Sequence, residues 1–243
     1  MSGKSFISFI KIARKESKRL SPSNSFWIYL KYYIQWKKHL GQGRTSLEDG
    51  MPWMNFKAIS FLNKVSKPFF KVFEYGSGGS TFFWSNRVSY VYSVEHDKTW
   101  AENVILALNK QSRTNTTIFF IPPEKDLNFS SKKIDIPLDY ISSDEDSANQ
   151  NYERYVRKIS DYPENHFDIV VVDGRARPAC IMAGKTRVKP GGYLVIDNTE
   201  REYYLINTLP VLESEGWIKH DFVGPVPYLR HFCKTTIFQR THA

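Results

Sequence analysis

A glycine-rich segment that follows a short apolar run is the part of the sequence best suited to holding a ligand. Residues Val72–Thr81 read VFEYGSGGST, a predicted strand that ends in a tight turn and leads into a helix. Glycines in such a turn let the main chain approach a ligand closely, and the start of the helix offers unpaired N–H groups. A tight strand-to-helix turn needs glycines even without a ligand, so both interpretations stay open here. The candidate cofactor-binding residues of this segment are Glu74, Gly76, Ser77, Gly78, Gly79 and Ser80.

An acid at the end of the next predicted strand favours the cofactor interpretation. Glu95 lies 21 residues after Glu74. In doubly wound α/β folds, an acid at this point accepts hydrogen bonds from both ribose hydroxyls of a nucleoside, because its two oxygens match a vicinal diol. His96 joins the candidate cofactor site as a residue that packs beside it, and Asp97 is predicted to cap the next helix.

Three other motifs fit the glycine-rich segment poorly. A dinucleotide-binding G-x-G-x-x-G/A motif would place its last small residue at Thr81, whose side chain is too large for close helix packing. A G-x-S-x-G nucleophile motif fails because Thr81 and Phe82 follow Ser80, and no G-x-x-x-x-G-K-[ST] phosphate loop occurs. An NAD(P)-dependent oxidoreductase and a non-catalytic module that binds a membrane surface are kept as alternative functions.

From Phe70 to its C-terminus the chain resembles the class I S-adenosylmethionine-dependent methyltransferases. Glu74–Ser80 (EYGSGGS) is similar to their first motif, E/D-x-G-x-G-x-G, with Ser80 in place of the last glycine. Glu95 matches their ribose-binding acid, Phe167–Gly174 (FDIVVVDG) their fourth-strand motif, and Lys189–Asn198 (KPGGYLVIDN) the turn into their fifth strand. The resemblance implies S-adenosylmethionine as cofactor, contacted also by Asp173. It further implies a Rossmann-like sheet of about seven strands in the order 3-2-1-4-5-7-6, the last of them antiparallel.

Oxygen-bearing side chains follow the fourth and fifth predicted strands. Asp173, Asp197 and Asn198 resemble the Mg²⁺ ligands of metal-dependent O-methyltransferases of the catechol type, and such oxygen ligands suit a hard cation. Ala176 departs from that pattern, because the catechol enzymes have a basic lysine there. The alternatives are that these acids form strand-end turns, or that Asp173 or Asp197 acts directly as a general base.

Three arginines lie beside the same predicted edge. Arg175, Arg177 and Arg201 carry planar guanidinium groups that suit carboxylates or phosphates, so they favour a small anionic or sugar-containing acceptor, although solvated arginines fit equally well. Arg175 is therefore grouped with Asp173 and Asp197 as a candidate catalytic residue. The Asn/Asp-Pro-Pro-Tyr/Phe signature of base amino-methylation is absent after the fourth strand, which disfavours a nucleic-acid acceptor.

Alternating patterns predict the elements that must position these residues. The predicted strands of the sheet are Val72–Tyr75, Tyr90–Val94, Thr117–Ile121, Ile169–Val172 and Tyr193–Ile196. The predicted helices after Lys71 are Trp100–Lys110, Tyr152–Ser160 and Glu202–Glu213, and an antiparallel pair is predicted for Trp217–Val223 with Cys233–Gln239. Strands that alternate with helices predict a parallel sheet covered on both faces. The polar stretch Pro122–Gln150 is long enough to be a functional lid or an insertion.

The positive charge of the chain is concentrated at its start. The net charge is +9, and residues 1–43 hold nine Lys or Arg with a single acid, Glu16. The high basicity therefore describes an arm and says little about nucleic-acid binding by the domain behind it. Ser25–Leu40 is predicted to be a helix, and its aromatic residues lie among lysines: Trp27, Tyr29, Tyr32, Tyr33 and Trp36. This composition suits either an anionic membrane surface or packing on the domain.

These patterns predict two parts, a basic amphipathic arm (residues 1–45) and a methyltransferase domain (residues 46–243). Gly41, Gly43 and Gly50 predict a loop between them, and a second helix is predicted from Met54 to Lys67. With 41% hydrophobic and 24% charged residues the chain is globular rather than disordered.

Localisation is predicted from what the sequence lacks. No apolar run reaches the roughly 18–20 residues of a membrane-spanning helix. Two cysteines are too few for a disulfide framework. We therefore expect a cytoplasmic protein, with residues 1–40 as the segment that would contact a membrane surface.

Overall fold

The computed structural model describes residues 3–40 and 45–242. The predicted loop glycines Gly41 and Gly43 lie outside the described residues. The strands are β1 (Lys71–Tyr75), β2 (Tyr90–Glu95), β3 (Thr116–Phe120), β4 (Glu124–Lys125), β5 (Gln150–Asn151), β6 (Phe167–Val172), β7 (Val188–Ile196), β8 (Ile218–Pro225) and β9 (Phe232–Gln239). The α-helices are α1 (Gly3–Leu20), α2 (Tyr33–His39), α3 (Ser46–Asp49), α4 (Phe56–Val65), α5 (Gly79–Ser85), α6 (Lys98–Lys110), α7 (Glu153–Arg157), α8 (Arg177–Lys185) and α9 (Leu209–Ser214). Short 3₁₀ helices cover Phe26–Tyr32, Phe129–Ser131, Pro137–Asp139, Glu145–Ser147, Lys158–Asp161 and Glu202–Tyr204.

The main sheet has the predicted topology. Its seven strands lie in the order β3-β2-β1-β6-β7-β9-β8. Numbered consecutively without the small β4–β5 pair, this is the order 3-2-1-4-5-7-6. Strands β1, β2, β3, β6 and β7 pair in parallel, whereas β9 is antiparallel to both of its neighbours. The predicted Rossmann-like α/β fold with an antiparallel last strand is confirmed.

Two hydrophobic clusters cover the two faces of this sheet. Along β1 the side chains alternate, so that Phe73 joins the cluster that contains Tyr155 of α7 and Ile181 of α8. Its neighbour Val72 joins the opposite cluster, which contains Leu62 of α4. All six residues of β6 are buried, because helices lie on both faces of a central parallel strand. The carboxyl ends of the parallel strands thus meet at one edge.

Several predicted elements differ in their bounds. The predicted helix Ser25–Leu40 is a 3₁₀ helix over Phe26–Tyr32 that continues as α2. The predicted helix over 202–213 is likewise divided into a 3₁₀ turn and α9, with Pro210 in the first turn of α9, where its missing N–H costs nothing. The turn predicted before the fifth strand is part of β7, and the pairing with β6 shifts register there, where Gly191 has φ +78°.

The N-terminal arm packs onto the domain. Tyr29 and Trp36 are almost completely buried, and they belong to the same hydrophobic cluster as Val72 of β1. Trp36 Nε1 donates a hydrogen bond to the Leu229 carbonyl at 2.7 Å, and Arg19 Nη2 donates to the Phe232 carbonyl at 3.1 Å. The arm and the sheet therefore share one core. Among the described residues, no helix combines the length and apolarity needed to cross a bilayer.

The long segment over residues 122–150 is tied together at its ends. Strand β4 pairs with β5 through Glu124 with Asn151 and Lys125 with Gln150. Within the segment, Lys132 Nζ lies 2.7 Å from the Asp126 carboxylate. The segment is thus an ordered insertion between β3 and α7 that reaches the edge of the sheet.

Candidate active site

A cavity of ≈ 710 Å³ opens at the edge where β1, β2, β6 and β7 end. The sequence-predicted residues on its wall are Gly76, Ser77, Gly78, Gly79, Ser80, Glu95, His96, Asp173, Arg175, Asp197 and Asn198. Glu74 is the exception, because it is fully buried in β1 and does not reach the wall. The structure therefore brings nearly all of the predicted site residues to one cavity.

Packing alone explains two of the glycines. Gly76 has φ +91°, and a Cβ there would lie 3.2 Å from the Gly174 Cα in the turn after β6. A Cβ on Gly79 would lie 2.4 Å from the Ser46 carbonyl oxygen and 2.3 Å from that of Met51. The turn therefore needs glycine at both positions whether or not a ligand binds, so the case for a cofactor depends on the side chains around the turn.

The Glu95 carboxylate faces the glycine-rich turn. Its Oε2 accepts hydrogen bonds from the Ser77 N–H at 2.9 Å and the Ser77 hydroxyl at 3.1 Å. Its Oε1 accepts from the N–H groups of His96 and Asp97 at 2.8 and 3.1 Å. Burial raises the pKa of Glu95, but hydrogen bonds from His96 and the main chain outweigh burial and leave the pKa below its usual value. Glu95 is therefore an ionised acceptor at the edge of the cavity.

His96 links Glu95 to the arginine after β6. The Arg175 Nε–H donates to His96 Nε2 at 3.1 Å, which assigns the remaining ring proton to Nδ1. That nitrogen lies 2.7 Å from Glu95 Oε1. Arg175 Nη1 also forms a short ion pair with the Asp144 carboxylate, which belongs to the 122–150 segment. His96 thus positions both a cofactor-side acid and an arginine of the opposite wall.

Glu74 is a buried acid beneath the turn. The hydroxyls of Thr81 and Ser93 donate to Oε1, at 2.6 Å from Ser93, while Oε2 has no partner among the described residues. Burial, with a smaller contribution from the charge of Asp173, raises the pKa of Glu74 to about 7 against the side-chain hydrogen bonds that lower it. Thr81 occupies the position where the dinucleotide motif needs a small residue. Its hydroxyl donates to Glu74 and accepts a hydrogen bond from the Gly78 N–H at 3.0 Å, so it connects the turn to the buried acid.

Arg177 joins the two acidic strand ends from inside the protein. Only 8% of the residue is exposed. Its Nη2 lies 3.1 Å from Asp173 Oδ1, its Nη1 donates to the Asp197 carbonyl at 2.6 Å, and its Nε donates to the Gly174 carbonyl at 3.0 Å. Arg177 is thus an internal support of the rim and not an arginine free to bind a ligand.

Asp173 and Asp197 lie close together but in different surroundings. A quarter of the Asp173 side chain is exposed to the cavity, whereas Asp197 is 1% exposed. Asp197 Oδ1 accepts a hydrogen bond from the Thr235 hydroxyl at 2.5 Å. Burial raises the pKa of both acids; Arg177 opposes this for Asp173, while the charge of Asp173 raises the pKa of Asp197 further.

Two of the predicted Mg²⁺ ligands are each engaged through one carboxylate oxygen. Asp173 Oδ1 is paired with Arg177, and Asp197 Oδ1 accepts a hydrogen bond from the Thr235 hydroxyl. A guanidinium 3.1 Å from Asp173 Oδ1 also disfavours a second cation beside that oxygen. The described ranges hold no group of three or more His, Cys, Asp and Glu residues suited to a metal ion, and the set of two aspartates with Asn198 stays a prediction. Ala176, at the place of the missing lysine, is buried and does not line the cavity.

Other residues that complete the wall were not predicted as site residues from the sequence. They are Ser46, Trp53, Trp100, Asp144, Glu200, Val226, Leu229, His231 and Cys233. Trp100 offered a usable signal, since the first turn of a helix that follows Glu95 starts at the ligand edge; its Nε1 donates to the Ser77 carbonyl at 2.7 Å. Trp53 and His231 reach the cavity only through tertiary packing, which no local spacing reveals.

Comparison with known proteins supports the fold. No protein-family model and no curated protein matches the sequence. An rRNA methylase from Streptococcus thermophilus superimposes with a TM-score of 0.53 at 11% identity, over 76% of this chain and 95% of that one. An O-methyltransferase from Thermotoga maritima gives 0.51 at 13% identity, over 82% and 72% of the two chains. A Streptococcus mutans protein in complex with SAH gives 0.51 at 12% identity, over 75% and 96%.

Likenesses at such low identities establish a common fold. The shared fold extends over 75–82% of this chain. The chain therefore has the Rossmann-like fold of the class I S-adenosylmethionine-dependent methyltransferases.

Proposed function

We propose that the protein transfers a methyl group from S-adenosylmethionine to an oxygen of a small anionic or sugar-containing acceptor. The observation that carries the proposal is the ionised Glu95 carboxylate, which faces the glycine-rich turn across one end of the cavity. A vicinal diol can bind such a carboxylate through both oxygens. Because Ser77 occupies Oε2, its hydroxyl is the group that a ribose would replace.

The charges around the turn favour a cationic cofactor over a dinucleotide. Glu95 and Asp97 lie beside the turn, and Asp173 also lines the cavity. These acids attract a ligand with a sulfonium and an ammonium group, whereas they would repel the diphosphate of NAD(P). The residues present therefore fit S-adenosylmethionine, which supplies an electrophilic methyl group when bound.

Asp173 is the proposed general base. Methyl transfer to a hydroxyl forms a C–O bond, breaks the S–C bond and releases the hydroxyl proton. Asp173 reaches the cavity and has a raised pKa, so its carboxylate accepts a proton more readily than an ordinary aspartate. Arg177 fixes its orientation. Asp197 has a different proposed role, because it is buried and bonded to Thr235: it stabilises the strand end beside the base.

The acceptor class is proposed from the size of the cavity and its cations. A volume of ≈ 710 Å³ is typical of sites for small molecules and also holds the cofactor, so a large acceptor has little room. Arg175 and Arg201 also line the cavity, where they favour an anion. A small acceptor is therefore favoured over rRNA, the substrate class named for one of the structural neighbours.

Calorimetric titration tests the cofactor directly. We expect S-adenosylmethionine and S-adenosylhomocysteine to bind the protein, and NAD(P) to give no heat of binding. Thermal unfolding with the same ligands gives an independent measurement, since a ligand that binds only the folded state raises its stability. Binding of NAD(P) without binding of S-adenosylhomocysteine would replace the proposal with the oxidoreductase alternative.

Peripheral membrane contact through residues 1–40 is a separate part of the proposal. The outer face of the arm exposes 63% of Trp27, 55% of Ile7 and 71% of Ile34, and it also exposes Lys11, Lys15, Lys18, Lys31 and Lys38. Exposed apolar side chains among cations suit an anionic bilayer. Three of the aromatics in the arm, Tyr29, Tyr33 and Trp36, instead pack inward.

Vesicle co-sedimentation tests this contact. The double variant Trp27→Ser, Ile34→Ser should bind phosphatidylserine-containing vesicles more weakly than the parent, and neither should bind phosphatidylcholine alone. Leu127→Ser is the matched control, because Leu127 is 85% exposed outside the arm. Equal sedimentation of the parent and the double variant would remove the membrane proposal.

A further inference from the structure

Two arginines from different strand ends converge on one carboxylate. Arg175 follows β6 and Arg201 follows β7, and both line the cavity. The Asp144 carboxylate forms a short ion pair with Arg175 Nη1 through Oδ2 and lies 3.9 Å from Arg201 Nη1 through Oδ1. Asp144 therefore occupies a place between two guanidinium groups that were brought together by the fold.

Neutral groups hold both arginines in position. Arg175 Nε donates to His96 Nε2 at 3.1 Å, and Arg201 Nη1 donates to the Tyr204 hydroxyl at 3.0 Å. Within the part of the chain that the structure describes, Asp144 is the one carboxylate within ion-pair distance of either arginine. The orientation of the two cations thus does not depend on Asp144 alone.

The other charged groups of this half of the cavity are engaged elsewhere. The Asp173 carboxylate pairs with Arg177, and Asp197 accepts a hydrogen bond from Thr235. A Glu200 carboxylate oxygen accepts from the Lys234 N–H at 2.8 Å. Arg175 and Arg201 are therefore the cations of this half that face the cavity with Asp144 as their anionic partner.

We propose that Arg175 and Arg201 form a binding site for a carboxylate or phosphate of the acceptor, and that Asp144 fills this site in the free protein. An incoming anion would take the place of the Asp144 carboxylate and release that part of the 122–150 segment from the arginines. The inference rests on the proposed function only in naming the acceptor as the carrier of the anion. Because the side chains of Asp144, Arg175 and Arg201 are 33%, 24% and 43% exposed, water reaches the ion pairs and exchange of the anion costs little.

The segment around Asp144 has anchors of its own. Ile141 and Ser147 are buried, and the Ser147 hydroxyl accepts a hydrogen bond from Tyr152 at 2.8 Å. The Ser143 and Tyr203 hydroxyls lie 2.7 Å apart. Removing the charge of Asp144 should therefore open the anion site without unfolding the segment.

Titration of inorganic phosphate into Asp144→Asn tests the proposal without any methyl transfer. The matched control is Asp146→Asn, which makes the same change of charge at an exposed position of the same segment. At constant ionic strength we expect Asp144→Asn to bind phosphate roughly threefold to tenfold more tightly than either the parent or the control, because an internal competitor has been removed. Adding Arg201→Gln to Asp144→Asn should abolish the gain. Equal phosphate affinity for Asp144→Asn and Asp146→Asn would overturn the proposal.

Two further measurements complete the test. Glucuronate in place of phosphate shows which anion the site prefers, and weak binding of both by Asp144→Asn would contradict the site. In the parent, phosphate should increase amide hydrogen exchange over residues 141–147; unchanged exchange at saturating phosphate would contradict displacement of Asp144. S-adenosylmethionine is titrated into the same Asp144→Asn protein, so that loss of cofactor binding, which would count against the proposed function, is distinguished from loss of the anion site.

Discussion

The two halves of the cavity are built from different kinds of sequence. The cofactor half comes mainly from one stretch, between Gly76 and Trp100, which holds the glycine-rich turn, Glu95 and the start of α6. The rest of the wall, which we call the acceptor half, gathers residues that are far apart in sequence, such as Trp53, Asp144 and His231. A ligand shared by many proteins can be held by a local motif, whereas an individual acceptor is recognised by side chains that only the complete fold brings together.

The two halves also differ in the direction in which the pKa values of their acids are shifted. In the cofactor half, hydrogen bonds keep the pKa of Glu95 below its usual value, so it stays charged and suits binding. In the acceptor half, burial raises the pKa of Asp173 and Asp197, which suits proton transfer or a neutral structural role. The contrast between a binding acid and a proton-transferring acid can be tested by substitution.

The largest effect is expected for Asp173→Asn. Loss of the proposed general base should lower kcat by about 10²- to 10⁴-fold, while the affinity for S-adenosylmethionine changes much less. In the parent, activity should fall as the pH drops through the raised pKa of Asp173, because protonation removes the base. That fall should be missing from the residual activity of Asp173→Asn. The measurements are the pH profile of kcat and calorimetric titration of the cofactor.

A structural role for Asp173 makes a different prediction. The substitution also weakens the contact with Arg177, so thermal unfolding must accompany the kinetics. Asp197→Asn is the matched comparison, because it neutralises the neighbouring buried acid and should leave the pH profile unchanged. A variant Asp173→Asn that keeps its stability and loses less than about threefold in kcat would show that Asp173 is not the base.

The next largest effect is expected for Glu95→Ala. Losing charge-assisted hydrogen bonds to the ribose should cost about 2–3 kcal/mol, or about 30- to 150-fold in affinity for S-adenosylmethionine, with the fold intact. Glu102→Ala is the control, because it removes an exposed acid from α6. Calorimetric titration decides the matter: binding by Glu95→Ala within threefold of the parent would mean that the cofactor half has been assigned wrongly.

The same contrast explains how far the sequence could predict this molecule. The sheet order and the position of the glycine-rich turn can be predicted from the sequence. The prediction uses the regular alternation of strands and helices together with the resemblance of Glu74–Ser80 and Phe167–Gly174 to known motifs. The sequence does not show that Arg177 points inward to Asp173 and Asp197, because this depends on burial of its guanidinium between two strand ends. Nor does it show that Asp144 meets Arg175, since the 122–150 segment has no periodicity that would place it.

A moderate effect on stability is expected for Glu74→Gln. The pKa of Glu74 is raised from its ordinary value to about 7, so the folded state binds this proton more tightly than the unfolded state does. The resulting stability is fully present below the unfolded pKa and is lost as the pH rises through about 7. A glutamine keeps the oxygen bonded to Thr81 and Ser93 and carries no charge. Above pH 7, Glu74→Gln should therefore be more stable than the parent by on the order of 2–3 kcal/mol.

Thermal unfolding from pH 5 to pH 8.5 measures this difference. The gain in Tm should be largest at high pH and should shrink toward pH 5, where the parent is protonated. Glu102→Gln, which changes an exposed acid, should show no such trend. If Glu74→Gln is no more stable than the parent at pH 8.5, ionisation of Glu74 costs the folded state nothing, and the raised pKa of this buried acid is contradicted.

The smallest effect is expected from removal of divalent cations. Asp173 Oδ1 is paired with the Arg177 guanidinium at 3.1 Å and Asp197 Oδ1 accepts from the Thr235 hydroxyl at 2.5 Å, so a cation would compete with these groups for both oxygens. Arg177 is buried and is held by three main-chain carbonyls and the Asp173 carboxylate, which disfavours its displacement. Turnover in excess chelator should therefore stay within about twofold of turnover with added Mg²⁺. Cofactor titration in the chelator serves as the control for effects on the other half. If chelation lowered turnover more than about tenfold and Mg²⁺ restored it, a metal would bind at the two acids. The ion, and not Asp173, would then activate the acceptor hydroxyl.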